Sequence, residues 1–175
     1  ITGTSGTVGT ELVRQLLQEP VEDIVGLDNN ESELFHLGER HSGEDRLRLY
    51  LCDIRNTEDL RRKMTGIDVV LHAAAYKHVI LCEKAPRNAV QSNILGTQSV
   101  IDAALTTEVD RVLLTSTDKA VNPTSVMGTS KLMGERLITS ANALRRDSTP
   151  VFASTRFGNV LGSSGSVIPI FKRQI

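Results

Sequence analysis

A doubly wound α/β fold, with a parallel sheet flanked by helices on both faces, is the architecture this sequence predicts. Three observations predict it. Short apolar runs alternate with longer amphipathic ones, a glycine-rich turn opens the first helical stretch, and an acid closes the strand that follows. Strand–helix alternation at this spacing calls for parallel strands joined by helical crossovers. Right-handed crossovers then leave the doubly wound arrangement as the leading topology.

Each element follows in turn. The opening ITGTSG reads as the end of a buried strand, and residues 7–19, TVGTELVRQLLQE, as a helix with Val8, Leu12 and Leu16 on one face. DIVGLD (23–28) is a strand ending in an acid, and ESELFHLGERHSGEDR (31–46) a solvated helix and loop. RLRLYLC (46–52) alternates, as a strand with one polar face does. TEDLRRKM (57–64) is a short charged helix. IDVVLHAA (67–74) and DRVLLTST (110–117) are near-continuous apolar runs, expected of strands buried on both faces. NAVQSNILGTQSVIDAAL (88–105) is a long helix, apolar on one side. Residues 123–146 form a second long helix, opened by Asn122 as N-cap and Pro123 at the first helical position. PVFASTRF (150–157) is the last strand.

The 175 residues suffice for one domain with a sizeable core. That domain is expected to be a dinucleotide-binding unit spanning 1–175, incomplete at both ends, with most of a C-terminal substrate-binding part lying beyond it. Lys plus Arg number 20 and Asp plus Glu 21, so bulk charge gives no reason to expect a nucleic-acid or acidic-membrane partner. Cys52 and Cys82 form neither a disulfide framework nor a metal-ligand spacing, and no metal is expected; two reduced thiols suit a cytoplasmic domain. No apolar run approaches the ~20 residues that cross a bilayer, although the full-length protein could be membrane-anchored outside this stretch.

TGTSGTVG (2–9) places Gly3, Gly6 and Gly9 at intervals of three, with Thr4, Ser5, Thr7 and Val8 between them. Backbone without Cβ approaches a pyrophosphate closely, and the free N–H groups of a helix start favour its charge. Asp28 ends the next strand 19 residues after Gly9, where a carboxylate accepts from the adenosine ribose hydroxyls and repels a 2′-phosphate. NAD is therefore expected over NADP. Asp53 and Ile54 close the next strand, where an acid can meet the adenine amino group. Ala73, Ala74 and Ala75 close the one after, where bulk would block a cofactor; helix–sheet packing is the plainer reading of the same run. His72 beside them reads equally as a satisfied core histidine.

TGTSGTVG, HAAAYKHV, STDKAVNPTSVMGTSK and RFGNVLGSSGSVIPIF together resemble the extended short-chain dehydrogenase/reductases with a Rossmann-like domain. More narrowly, they are similar to the CapD-like nucleotide-sugar 4,6-dehydratases and epimerases of polysaccharide biosynthesis. The resemblance implies a UDP-N-acetylhexosamine substrate, most often UDP-N-acetylglucosamine, and a tightly held NAD recycled within each turnover. Oxidation at sugar C4 acidifies the C5 proton; a base removes it, an acid releases the C6 hydroxyl as water, and reduction at C6 leaves a UDP-4-keto-6-deoxy sugar. A UDP-sugar 4-epimerase, a dehydratase coupled to C5 epimerisation, and a non-catalytic NAD-binding redox sensor are the alternatives. A homo-oligomer is expected.

The same resemblance assigns roles. Its Tyr-x-x-x-Lys pattern finds Met127 at the tyrosine place and Lys131 at the lysine place. A thioether neither donates nor accepts a proton in this role, while Lys131 still holds the nicotinamide ribose. Lys119 matches the base at C5, Asp118 the acid at C6, and Thr117 the hydroxyl near the C4 oxygen. Lys119 needs a pKa lowered toward neutrality and Asp118 a raised one; a simple loop ion pair is the bland alternative. Lys77 and His78 are expected to meet the sugar or its phosphates, or else to be solvated loop residues; Ile80 stands where the family usually has proline. Asn93 matches an asparagine supporting the active-site backbone, and Arg156 and Asn159 the floor of the UDP-sugar site. GSSGSV (162–167), Ser166 included, offers donors for the diphosphate or is a flexible loop.

Overall fold

Thr2 lies at the centre of the sheet in the computed structural model, which describes residues 1–145 and 149–161. Its N–H donates to the Leu71 carbonyl and its carbonyl accepts from Ala73 N–H, both at 3.0 Å, while Gly3 N–H donates to the Leu27 carbonyl at 2.8 Å. Thr2 thereby bridges Leu27 and His72 in parallel. On one side, β1 (Ile24–Asp28) pairs in parallel with β2 (Leu47–Leu51). On the other, β3 (Val69–His72) pairs with β4 (Arg111–Thr117), and β4 with β5 (Val151–Phe157), all parallel. The ribbon order is β2, β1, Thr2, β3, β4, β5, so the chain winds outward in both directions from Thr2. The crevice at the carboxyl ends opens where the winding reverses.

Helices cover the two faces unequally. On one face, α1 (Thr7–Leu16) and α2 (Glu31–Arg40) bury Val13 and Leu37 against Ile24, with Leu47 and Leu49 at the margin. On the other, α3 (Thr57–Met64), α6 (Thr97–Ala104) and α7 (Val126–Ala141) bring Leu60, Met64, Val100, Ile101 and Ile138 onto Leu27, Val70, Val112, Leu114 and Phe152. Burying each such side chain contributes roughly 1.5–3 kcal/mol. The expectation that residues 67–74 and 110–117 are buried on both faces is corrected. Val70, His72, Val112, Leu114 and Ser116 are buried, whereas Val69 and Arg111 are exposed and Leu71, Leu113, Thr115 and Thr117 are half-buried. The cause is that α1 and α2 lie over β1 and β2, leaving the second face of β3 to β5 less covered among the described residues.

Three helices depart from expectation. The 88–105 stretch is α5 (Pro86–Ala89), a π-helical segment Val90–Gly96, and then α6. Gly96 closes the π segment where a Cβ would stand 2.6 Å from Ile54 Cδ1, so a larger residue there would have to push the Ile54 side chain aside. A further short helix, α4 (Val79–Lys84), occupies what reads as loop. The last long helix starts at Val126, not 123. Asn122 is held at φ +45 and cannot cap it; the Ser125 hydroxyl accepts from Gly128 N–H at 3.1 Å instead.

Candidate active site

A cavity of about 710 Å³ opens along the carboxyl ends of the strands. At one end lies the glycine turn. Gly3 is at φ +70, and a Cβ there would fall 2.6 Å from Ala74 N; at Gly9 a Cβ would fall 2.2 Å from the Gly3 carbonyl oxygen. Gly3, Ser5, Gly6, Thr7, Val8 and Gly9 line the cavity, as do Asp28, Asp53, Ile54 and Ala73 to Ala75. Thr4 does not: it is buried, and its hydroxyl donates to the Ile1 carbonyl at 2.7 Å, tying turn to sheet. The Asp28 carboxylate accepts from Ser5 N–H at 2.9 Å and Asn30 N–H at 3.0 Å, so it braces the turn as well as facing the cavity. Asp53 is held by Arg55 in a fork at 2.9 and 2.5 Å, which keeps its carboxyl below the usual range. The turn, the start of α1, Asp28 and the small Ala73–Ala75 wall suit an extended pyrophosphate-bearing ligand such as a dinucleotide, since each would be filled or blocked by ordinary side chains.

His72, at the end of β3, is a core residue. Its Nδ1 meets Thr2 Oγ1 at 2.7 Å and its Nε2 meets Thr97 Oγ1 at 3.1 Å. Burial, with Lys131 nearby, pushes it down to about 3, so it is neutral. Lys77 and His78 do line the cavity. Asn93 does not line it, and instead supports the backbone of the loop that does. Its amide donates to the Tyr76 carbonyl at 3.0 Å and to Ser130 Oγ at 2.9 Å, and its oxygen accepts from Tyr76 N–H at 2.8 Å. It clamps the backbone between Ala75 and Lys77.

At the other end β4 runs into a 3-10 turn, Asp118–Ala120. Thr117 Oγ1 accepts from Lys119 N–H at 3.3 Å and donates to Asp118 Oδ1 at 3.0 Å. Lys119 Nζ donates to that same Oδ1 at 3.2 Å and to Asn159 Oδ1 at 3.3 Å. Thr117, Lys119 and Asn159 line the cavity; Asp118 does not, and its side chain is exposed. Thr117 first and Lys119 second hold Asp118 below the usual carboxylate range, which corrects the expected raised carboxyl: two donors and an exposed surface favour the ionised form.

Met127 and Lys131 both line the cavity from α7. Met127 packs with Cys82 and Ala89, closing the wall with apolar surface. Lys131 is nine-tenths buried and donates to the Thr115 carbonyl at 2.6 Å. Burial lowers it to about 8, against the opposing pull of Glu135. Arg156, expected on the substrate floor, is instead docked on Glu135 through two bonds of 2.8 and 2.7 Å. Ser166 lies outside the described residues. Arg55, Gln91 and Ser92 line the cavity and Glu135 supports it without having been singled out in the sequence; the Lys131-x-x-x-Glu135 spacing is the signal that points to the last. Cys52 and Cys82 are free and buried, and burial raises both thiols, Cys52 to about 12. Among the described residues no cluster of three His, Cys, Asp or Glu could hold a metal, and no helix is long and apolar enough to cross a membrane.

The profile of the family described as polysaccharide biosynthesis protein matches residues 1–175. The chain belongs to this family. Among curated relatives, an uncharacterized membrane protein of Methanocaldococcus jannaschii is 45% identical over 175 residues, covering all of this chain and 52% of that one. The capsular polysaccharide biosynthesis protein CapD of Staphylococcus aureus is 39% identical over 181 residues, covering all of this chain and 30% of that protein. A UDP-glucose 4-epimerase of Rickettsia felis is 37% identical over 182 residues, again covering all of this chain and 52% of the relative. The chain thus spans about half the length, or less, of these relatives. Among solved structures, Pen from Bacillus thuringiensis superposes with a TM-score of 0.96 at 43% identity, over 99% of this chain and 54% of that one. DesIV, a dTDP-glucose 4,6-dehydratase of Streptomyces venezuelae solved with NAD, gives 0.85 at 24% identity over 99% and 60%, which shows a shared fold. The fold is Rossmann-like, as the strand order and the structural neighbours both have it.

Proposed function

We propose that this chain is the NAD-binding portion of a nucleotide-sugar 4,6-dehydratase acting on a UDP-N-acetylhexosamine, with UDP-N-acetylglucosamine the first substrate to try. The observation that carries the reading is the Thr117–Asp118–Lys119–Asn159 hydrogen-bonded chain at the cavity mouth. Asp28, facing the cavity with a carboxylate, supports NAD over NADP. The same reading takes the working enzyme as a homo-oligomer with this domain on the cytoplasmic side.

When bound, the dinucleotide supplies the reversible oxidation at sugar C4 that makes the C5 proton acidic. The protein's own groups do the rest. Thr117 Oγ holds the C4 oxygen and passes the C4 hydroxyl proton to solvent. Lys119 Nζ takes the C5 proton and returns one to C5 after C6 is reduced. Asp118 protonates the departing C6 hydroxyl, which leaves as water, and then regains its proton from solvent. The free chain stores Lys119 and Asp118 as an ion pair. Passing one proton across that 3.2 Å contact yields a neutral amine and a protonated carboxyl, the states a base and an acid require. A sugar that displaces water favours the neutral form, because desolvation penalises separated charges. Lys77 and His78 lie on the same wall to meet the sugar diphosphate.

Incubating the full-length protein with UDP-N-acetylglucosamine in D₂O and following the products by NMR tests this. A 6-deoxy methyl signal with deuterium at C5 is expected. The 4-epimerase reading, favoured by the Rickettsia relative, predicts a C4 epimer with no deuterium at C5. Lys119→Ala separates both from a sensor that binds NAD without turnover: a sensor keeps its function, a dehydratase loses turnover while still binding cofactor.

A further inference from the structure

Beneath the cavity floor lies a charge cluster that the proton-transfer chain at the mouth does not use. Lys131 and Glu135 are one helical turn apart on α7, so they share a face. Glu135 is buried, and Arg156, reaching across from β5, grips both carboxylate oxygens while its own side chain is half exposed. The Ser116 hydroxyl on β4 is buried and without a regular hydrogen bond. Lys131 points its ammonium to the Thr115 carbonyl and lines the cavity. Of α7, only Met127 and Lys131 reach the cavity among the described residues, and Met127 cannot exchange protons.

We propose that Glu135, pinned by Arg156, is a positioning residue that sets the charge of Lys131 on a cavity floor where Met127 leaves α7 no other proton-exchanging group. With its proton, Lys131 donates to hydroxyls lying on the floor; without it, Lys131 accepts from them. Glu135 pulls toward the charged form and burial pulls away. Arg156 holds Glu135 ionised and at the same time divides its attraction. The other titratable groups around Lys131 are His72, buried in the sheet and neutral, and, on the cavity wall, Lys119 with its partner Asp118 beside it in the turn after β4, and Lys77 and His78 in the loop after β3. The consequence for catalysis rests on the dehydratase reading; the test does not, because it is made without turnover.

Competitive acetylation of the full-length, ligand-free protein, read at Lys131 by mass spectrometry across pH, follows its proton directly. The wild-type inflection is expected near 8. Glu135→Gln removes the attraction and leaves Arg156 facing Lys131, so the inflection falls by about one unit. Arg156→Gln frees Glu135 to act on Lys131 alone, so the inflection rises by a similar amount. Arg156→Lys restores the wild-type value. NAD affinity titrated over the same pH range, weakening as Lys131 loses its proton, moves in the same opposite senses. A merely structural ion pair predicts shifts of one sign in both neutral variants, or none, and either result overturns the proposal. If Glu135→Gln does not fold, the Arg156 pair decides: a fall, or no change, in Arg156→Gln is equally fatal.

Discussion

At the Asp28 end of the cavity the main chain does the holding, whereas at the Lys131 end side chains do. Gly3 and Gly9 are fixed by close backbone approach, and Asp28 by two backbone N–H groups. Thr117, Asp118, Lys119 and Asn159 hold one another, as do Glu135 and Arg156. The first kind of site answers to added atoms. The second answers to charge and changes state with small changes in solvation. Substitutions chosen by this contrast break it or sharpen it.

The largest effect is expected at the side-chain end. Asp118→Asn keeps the shape and removes the acid, so turnover of the full-length protein falls by about 100- to 10,000-fold with NAD affinity unchanged. Isothermal titration beside steady-state kinetics reads both; a parallel loss of NAD binding would merge the two ends into one. Gly9→Ala, at the main-chain end, sets a methyl 2.2 Å from the Gly3 oxygen. It is expected to abolish NAD binding and to destabilise by about 1–3 kcal/mol, measured by denaturant unfolding. Asn93→Ala removes three bonds of the clamp on Tyr76 and Ser130. It leaves buried partners unsatisfied, for a loss of about 1–3 kcal/mol in the same assay.

The smallest effect is a pH slope. Lys131 is lowered to about 8 from an ordinary 10.5. Between those values the unfolded chain carries more protons, so stability rises with pH through that window, and the burial penalty is fully present below it. Lys131→Met should lack this rise; unfolding free energies compared at pH 7 and 10 measure the difference.

The main-chain end was legible because its demands fall on residue type and spacing. Glycines three apart, an acid 19 residues on, and small residues after a strand are visible as letters. The strands were legible for the same reason, to within a residue or two. The π-helical segment was not, since its hydrogen-bond register leaves no separate mark on a helical apolar pattern. Asn122–Pro123 has the letters of a helix start, yet Gly128 packs where a Cβ would lie 2.3 Å from the Lys119 carbonyl oxygen, and the tight turn before it displaces the cap to Ser125. The identity of Asp118 and Lys119 was legible; the direction in which Asp118 shifts depends on which donors fold onto it, and Thr117 and Lys119 both do. Arg156 was read toward substrate because its partner, Glu135, is 21 residues away in the chain.

The central claim is that the amine and carboxyl at the end of β4 move the protons that Met127 cannot. Deuterium incorporation at sugar C5, followed by NMR in D₂O for full-length wild type and Lys119→Ala, tests it most directly. The account predicts rapid C5 exchange with a 4-keto-6-deoxy product in the wild type, and neither in the variant although NAD stays bound. Undiminished C5 exchange in Lys119→Ala would contradict it.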